Sequence, residues 1–168
     1  MVEMIVVIGI VTMLASISIV SFRRGGRGTD LTREAQTLAL NLRRAQNMAL
    51  TGALFQGATP GGYGIYLNTA SPNSYVLFAD LDNNKIYGGA GEQIEMVTFQ
   101  RNVIITGLAP ASALNIVYSP PEPTTTIYDD VGANLGNTAS ATLGSSGAAI
   151  SKIINISPYQ VQNKKVLL

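Results

Sequence analysis

From Met4 to Phe22 the chain carries neither a charge nor a proline, an unbroken run of 19 residues. At about 1.5 Å of rise per residue this predicts a helix of roughly 29 Å, close to the roughly 30 Å hydrocarbon thickness of a bilayer. A helix is the form in which a single segment satisfies its own backbone in an apolar medium. One acid, Glu3, stands at the tip of the run. Arg23, Arg24 and Arg27 follow it, with Gly25, Gly26 and Gly28 interspersed. Each glycine costs a helix about 1 kcal/mol relative to alanine. The expectation is therefore a loosened, helix-melting linker over Arg24–Gly28, inside a boundary segment 23–30.

A second periodicity begins at Leu31. The apolar positions Leu31, Ala35, Leu38, Leu42, Ala45 and Ala49 recur at spacings of 4, 3, 4, 3 and 4, which places them on one face of a helix over 31–51. Thr29 or Asp30 is placed to cap it, Glu34 falls in its first turn, and Gly52 ends it. Arg33, Leu40 and Arg44 lie on another face, which is expected to look outward.

Beyond Gly57 the pattern shifts to short runs rich in β-branched and aromatic residues, separated by turn clusters such as Thr59-Pro60-Gly61-Gly62, Asp82-Asn83-Asn84 and Gly88-Gly89. Strands are expected near Tyr63–Leu67, Tyr75–Ala79, Ile94–Gln100, Val103–Thr106, Leu114–Tyr118, Thr124–Tyr128, Ala141–Leu143 and Ile153–Ile156, with a last one near Gln160–Val166. Leu114, Ile116 and Tyr118 alternate with Asn115 and Val117, which suits an antiparallel strand with one buried face. The helix stripe is expected to cover that face. The division that results is 1–22 apolar helix, 23–30 linker, 31–51 amphipathic helix and 52–168 antiparallel β-rich domain.

Composition sharpens this picture mainly by exclusion. The 168 residues carry a net charge of +1, with no cysteine and no histidine. Disulfides, thiol chemistry and histidine-based acid–base or metal chemistry are therefore absent. The charge is uneven. Residues 1–51 hold six arginines against Glu3, Asp30 and Glu34, for +3, and residues 52–168 hold five basic and seven acidic residues, for −2. No catalytic constellation emerges. Asp129-Asp130 sits in a turn-like context, and Ser151 and Lys152, adjacent in a strand, point to opposite faces. The chain is expected not to be an enzyme.

The stretch Val2-Glu3-Met4-Ile5-Val6-Val7-Ile8-Gly9-Ile10, followed by more apolar residues, resembles the N-terminal segment of type IV pilins and type II secretion pseudopilins. The order of later features extends the likeness: REAQTLALNLRRAQNMAL, YVLFADLDNN, QRNVIITGL, LNIVYSPPEP, ATLGSS and IINISPYQVQ. In this order they resemble the minor pseudopilin H and minor pilin T group. The resemblance implies an α+β, pilin-like fold, with a long N-terminal helix, apolar in its first half, packed on an antiparallel β domain. It implies a structural subunit of a pilus or pseudopilus, and a leader upstream of Met1 removed by a prepilin peptidase. An assembly ATPase and a platform protein would drive growth. The subunit is expected as a single-pass protein of the inner membrane, its C-terminal domain outside the cytoplasm, before it joins other pilin subunits or copies of itself. The arginines at 23, 24 and 27 oppose that orientation under the positive-inside rule, unless the leader is more basic.

The resemblance makes Glu3 an assembly residue that neutralises the N-terminal amine of an adjoining subunit. Ile5, Ile8, Gly9, Val11, Leu14, Ala15, Ile17 and Ser18 become filament-core packing positions, the small ones allowing close helix approach. Independently of it, Asp80, Asp82 and Asn84 form a D-x-D-x-N run with oxygen ligands at alternate positions, as calcium loops have, and Glu92 nearby. Lys85 stands where such a loop has its glycine, and no other cofactor is expected. Lys164 and Lys165 with Tyr159 give a weak footprint for nucleic acid, which is not an expected partner. The competing class is a singly anchored surface module that captures DNA or a calcium-dependent ligand.

Overall fold

The computed structural model describes residues 2–121, 124–146, 150–158 and 161–167, with 17–27 and 161–167 described as backbone alone. Among the described residues one helix, α1 (Val2–Leu50, 49 residues), leads into ten strands. These are β1 (Gly62–Asn68), β2 (Ser74–Asp80), β3 (Gln93–Thr98), β4 (Val103–Ala109), β5 (Ala113–Ser119), β6 (Thr124–Tyr128), β7 (Asn134–Gly136), β8 (Ala139–Ser145), β9 (Ile150–Ile156) and β10 (Val161–Leu167). They form two antiparallel sheets: six strands in the order β3-β2-β1-β5-β6-β7, and four in the order β10-β9-β8-β4. Each of the nine expected strands falls on an observed one. The short β7 was not anticipated, because Asn134-Leu135-Gly136 reads as a turn.

The predicted stripe is the seam of the molecule. Leu31, Ala35, Leu38, Leu42, Ala45 and Ala49 are all buried, and they touch both sheets, through β1 and β5 on one side and β4, β8 and β9 on the other. Three of the six are alanine, so the helix axis approaches the sheets closely. Facing them from the larger sheet are Tyr63, Ile65, Leu67, Leu77, Leu114, Ile116 and Ile127, and from the smaller one Ile105, Leu143 and Ile154. The chain passes from one sheet to the other at Phe99–Asn102, where Arg101 and Asn102 adopt positive φ. Arg101 pairs with Asp30 at 2.6 Å and ties that corner to the helix.

The expected architecture is corrected on two counts and completed on a third. First, the helix does not pack along its length: every described side chain from Val2 to Ser16 is exposed, and the buried residues described on it begin at Leu31. Second, α1 runs unbroken through Arg24–Gly28. The glycine penalty is a graded cost and not a stop, and the intervening arginines are good helix formers. With no break there is no separate N-terminus at Asp30, and that residue serves as the partner of Arg101 instead of a cap. Third, the β domain is divided into two sheets that share the helix, a division the sequence reading did not specify.

The membrane placement is corrected as well. Among the described residues no helix is long and apolar enough to cross a membrane.

The expected single buried face of β5 also fails. Ala113 to Tyr118 are all buried, Asn115 and Val117 included. The reason is a second, smaller core on the far face of the six-stranded sheet. There Val76, Phe78 and Val117 lie beneath Tyr66, Tyr87 and Tyr128. The segment between β2 and β3 folds back over this face, and Tyr87 sits 5.5 Å from Tyr66 and 5.7 Å from Phe78, ring centroid to centroid. Gly64 makes room: a Cβ there would stand 2.7 Å from the Phe78 ring and 2.7 Å from the Ile116 carbonyl oxygen.

Candidate functional site

Two places concentrate the residues that the sequence singles out. The first is the bare half of α1. Ile5, Ile8, Val11 and Leu14 are between 58% and 71% exposed, values at which a large apolar side chain in a folded domain is effectively uncovered. Gly9 has nothing within 4 Å of where a Cβ would stand, and Ala15 is exposed. The two hydroxyl-bearing residues described on this rod turn inward on the helix. Thr12 donates to the carbonyls of Ile8 and Gly9 at 2.9 Å, and Ser16 to those of Thr12 and Met13 at 2.9 Å. Their hydrogen-bonding capacity is thereby spent, and the rod presents an apolar surface. Glu3 lies in the first helical turn, exposed, where the helix dipole favours a negative charge. It has no ion pair among the described residues. The side chains of Ile17 and Ser18 lie outside the described residues. Gly25, Gly26 and Gly28 are helical in backbone. The surroundings of the first two lie outside the described residues, and Gly28 has open space around it.

The second place is the loop after β2. One carboxylate oxygen from each of Asp80, Asp82 and Glu92 lies within 4.8 Å of the others. Asp80 is fully buried. Its carboxylate accepts the backbone N–H of Asn84 at 3.0 Å and of Lys85 at 3.3 Å, and pairs with the Lys85 ammonium at 3.2 Å. That ammonium also donates to the Gly61 carbonyl at 3.0 Å and to the Asn83 side-chain oxygen. Glu92 accepts the N–H of Leu81 at 3.0 Å and of Gly88 at 2.7 Å, closing the loop at its other end. Asp82 and Asn84 bond each other, and the Asn84 side-chain oxygen takes the Ile86 N–H at 2.8 Å. The oxygens of the D-x-D-x-N run are thus brought together, but each carboxylate is already engaged by the loop's own N–H groups. Lys85 supplies a positive charge from within the chain.

Sequence reasoning missed the role of Lys85, and missed Asn115. The latter accepts the Tyr87 N–H at 2.9 Å and donates to the Asp129 carbonyl at 3.0 Å, holding two loops on the far face from one buried amide. An asparagine inside the apolar run Leu114–Tyr118 was the available signal, since a buried amide needs partners. Of the remaining candidates, Asp129 is consumed by its turn, accepting the N–H groups of Val131 and Ala133 at 3.0 and 2.8 Å. Asp130 accepts the Tyr66 hydroxyl at 3.3 Å. Tyr159 and the side chains of Lys164 and Lys165 lie outside the described residues. An open cleft where β4, β8 and β9 end is lined by Ala109, Pro110, Asn155 and Ser157 among others, and no charged group lines it.

No family model, curated protein or solved structure matches this chain.

Proposed function

We propose that the chain is a structural subunit of a filament of the type IV pilus or type II secretion pseudopilus class, assembling through the bare half of α1. The observation that carries this reading is the contrast within one helix. The apolar stripe of its second half, Leu31 to Ala49, is buried on its own domain, and its first half, Val2–Ser16, offers a largely apolar surface whose described side chains are all exposed. Exposed apolar surface on this scale marks an interaction site. A rod of this shape is best covered by other rods, because parallel helices bury side chains along their whole length, and Gly9 and Ala15 permit close approach. The partners are other copies of the chain or sister subunits. The peptidase, ATPase and platform protein follow from the resemblance alone.

Glu3 makes the packing selective. In a dry bundle an unpaired carboxylate is costly, and a positive group on the neighbouring subunit removes that cost only in the correct register. Removing one partner of a buried ion pair costs about 3–5 kcal/mol. Glu3→Gln is therefore expected to leave the folded domain intact and to reduce incorporation into filaments severely, as measured by immunogold labelling or by the fraction sedimenting with purified fibres. Incorporation at the unmodified level would reject the assignment of Glu3, and a chain absent from filaments altogether would reject the reading.

A further inference from the structure

The geometry points to a second, head-to-tail contact between copies of this chain, in which the outward face of α1 around Leu40 and Arg43 receives the β6–β7 turn, Asp130 and Val131, of the next copy. It rests on the filament reading above and names how the folded domains, as distinct from the bare rods, meet.

The receiving face is the side of α1 opposite its buried stripe. Leu40, Arg43, Asn47 and Leu50 follow at spacings of 3, 4 and 3 and share a line along the helix. Leu40 is 61% exposed. Arg43 is exposed and has no ion pair among the described residues, although its neighbour Arg44 is held by Glu95 at 2.7 Å. The inserting element has the complementary character. Val131, at 83%, is the most exposed large apolar side chain among the described residues, and the exposed carboxylate of Asp130 precedes it. This tip is presented in a fixed shape. Asp129 bonds the N–H groups of Val131 and Ala133, its own N–H donates to the Ala133 carbonyl at 3.1 Å, and Gly132 takes the positive φ that the turn needs. A preorganised tip loses little entropy on docking.

The two surfaces lie on opposite sides of the six-stranded sheet. The helix covers the face bearing Ile65, Leu77 and Ile116, whereas Asp130 accepts the hydroxyl of Tyr66, which belongs to the far face. A contact between unlike surfaces on opposite sides is heterologous. It leaves one free surface of each kind on every pair and so propagates. The charge division of the chain, +3 over residues 1–51 and −2 over the rest, favours this arrangement over one that sets like surfaces together.

The absence of cysteine makes the test clean. Leu40→Cys and Val131→Cys are introduced singly and together into the full chain, which is treated with a short bifunctional maleimide. The expected result is a heterodimer from the mixed single variants, almost none from either alone, and a ladder of multimers from the double variant. Arg43→Glu or Asp130→Lys in the double-cysteine background is expected to lower the ladder yield about tenfold, the scale of one interfacial charge pair, and the two reversals together to restore it. Absence of a ladder, a product that stops at dimer, crosslinking of Leu40→Cys alone, or failure of the paired reversals to restore yield each overturns the proposal. If Glu3→Gln abolishes filaments while no ladder forms in the Glu3 background, this contact falls and the filament reading stands. A ladder from a chain never found in fibres has the converse meaning.

Discussion

The side-chain amide of Asn41 donates a hydrogen bond to the Tyr75 hydroxyl at 2.7 Å, joining α1 to β2 across the core. Burial pushes the Tyr75 hydroxyl up to about 12 from its ordinary 10.0. The Asn41 bond opposes the shift, and the carboxylates of Glu34 and Glu95 add to it. Burial likewise pushes Tyr118 up to about 12. A raised folded-state value means that the stabilisation is complete below pH 10, where both states keep the proton, and is lost as pH climbs from 10 through 12. Each tyrosine is expected to cost about 2–3 kcal/mol of stability across that window. Denaturant midpoints at rising pH, followed with tyrosinate absorbance, check this. Tyr75→Phe is expected to flatten the alkaline decline while losing about 1 kcal/mol at neutral pH.

The buried pair of Asp80 and Lys85 sets a second expectation. Lys85→Ala strands a fully buried carboxylate, and breaking such a pair from one side costs about 3–5 kcal/mol. Urea unfolding is expected to show that loss. Both Asp80 oxygens are already engaged, so calcium added to the unmodified chain is expected to leave the Tm unchanged. A calcium-dependent rise would mean that the loop reorganises around an ion.

Gly64→Ala tests the second core. The added methyl meets both the Phe78 ring and the Ile116 carbonyl oxygen at 2.7 Å. That carbonyl belongs to β5, paired with β1 at Ile65↔Ile116, and is not free to retreat. Overpacking of this kind costs about 1–3 kcal/mol. The expected signature is a lower urea midpoint with an unchanged slope. A neutral result would show that Phe78 has room to turn away.

Local periodicity made much of the fold legible before any coordinates. The stripe Leu31–Ala49 and the nine strand positions follow from spacing alone, because each reports which face of one element is dry. What spacing does not report is how elements share a partner. Leu38 and Leu42 read as one dry face, which does not reveal that two sheets enclose it, and no residue in β8 or β9 announces which sheet it joins. The far-face core escaped for a related reason: Val76, Phe78 and Val117 are covered by a loop, and loops carry no periodic signal. Gly25 and Gly26 misled because a propensity was treated as a boundary. At the candidate sites, Glu3 and the D-x-D-x-N run were visible as residue types out of place. Lys85 was visible too, but only as a departure from a calcium loop. Its meaning depended on the burial of Asp80, which the sequence does not state.

Because α1 is continuous and both sheets hang on the same stripe, the molecule resembles a mast with two sails lashed to its lower part. Tension applied at Val2 passes down the backbone hydrogen bonds of the helix and reaches β1 and β9 through the same few side chains at once. Both sheets are loaded through one shared stripe, so a pull along the helix is expected to detach them together and not one after the other.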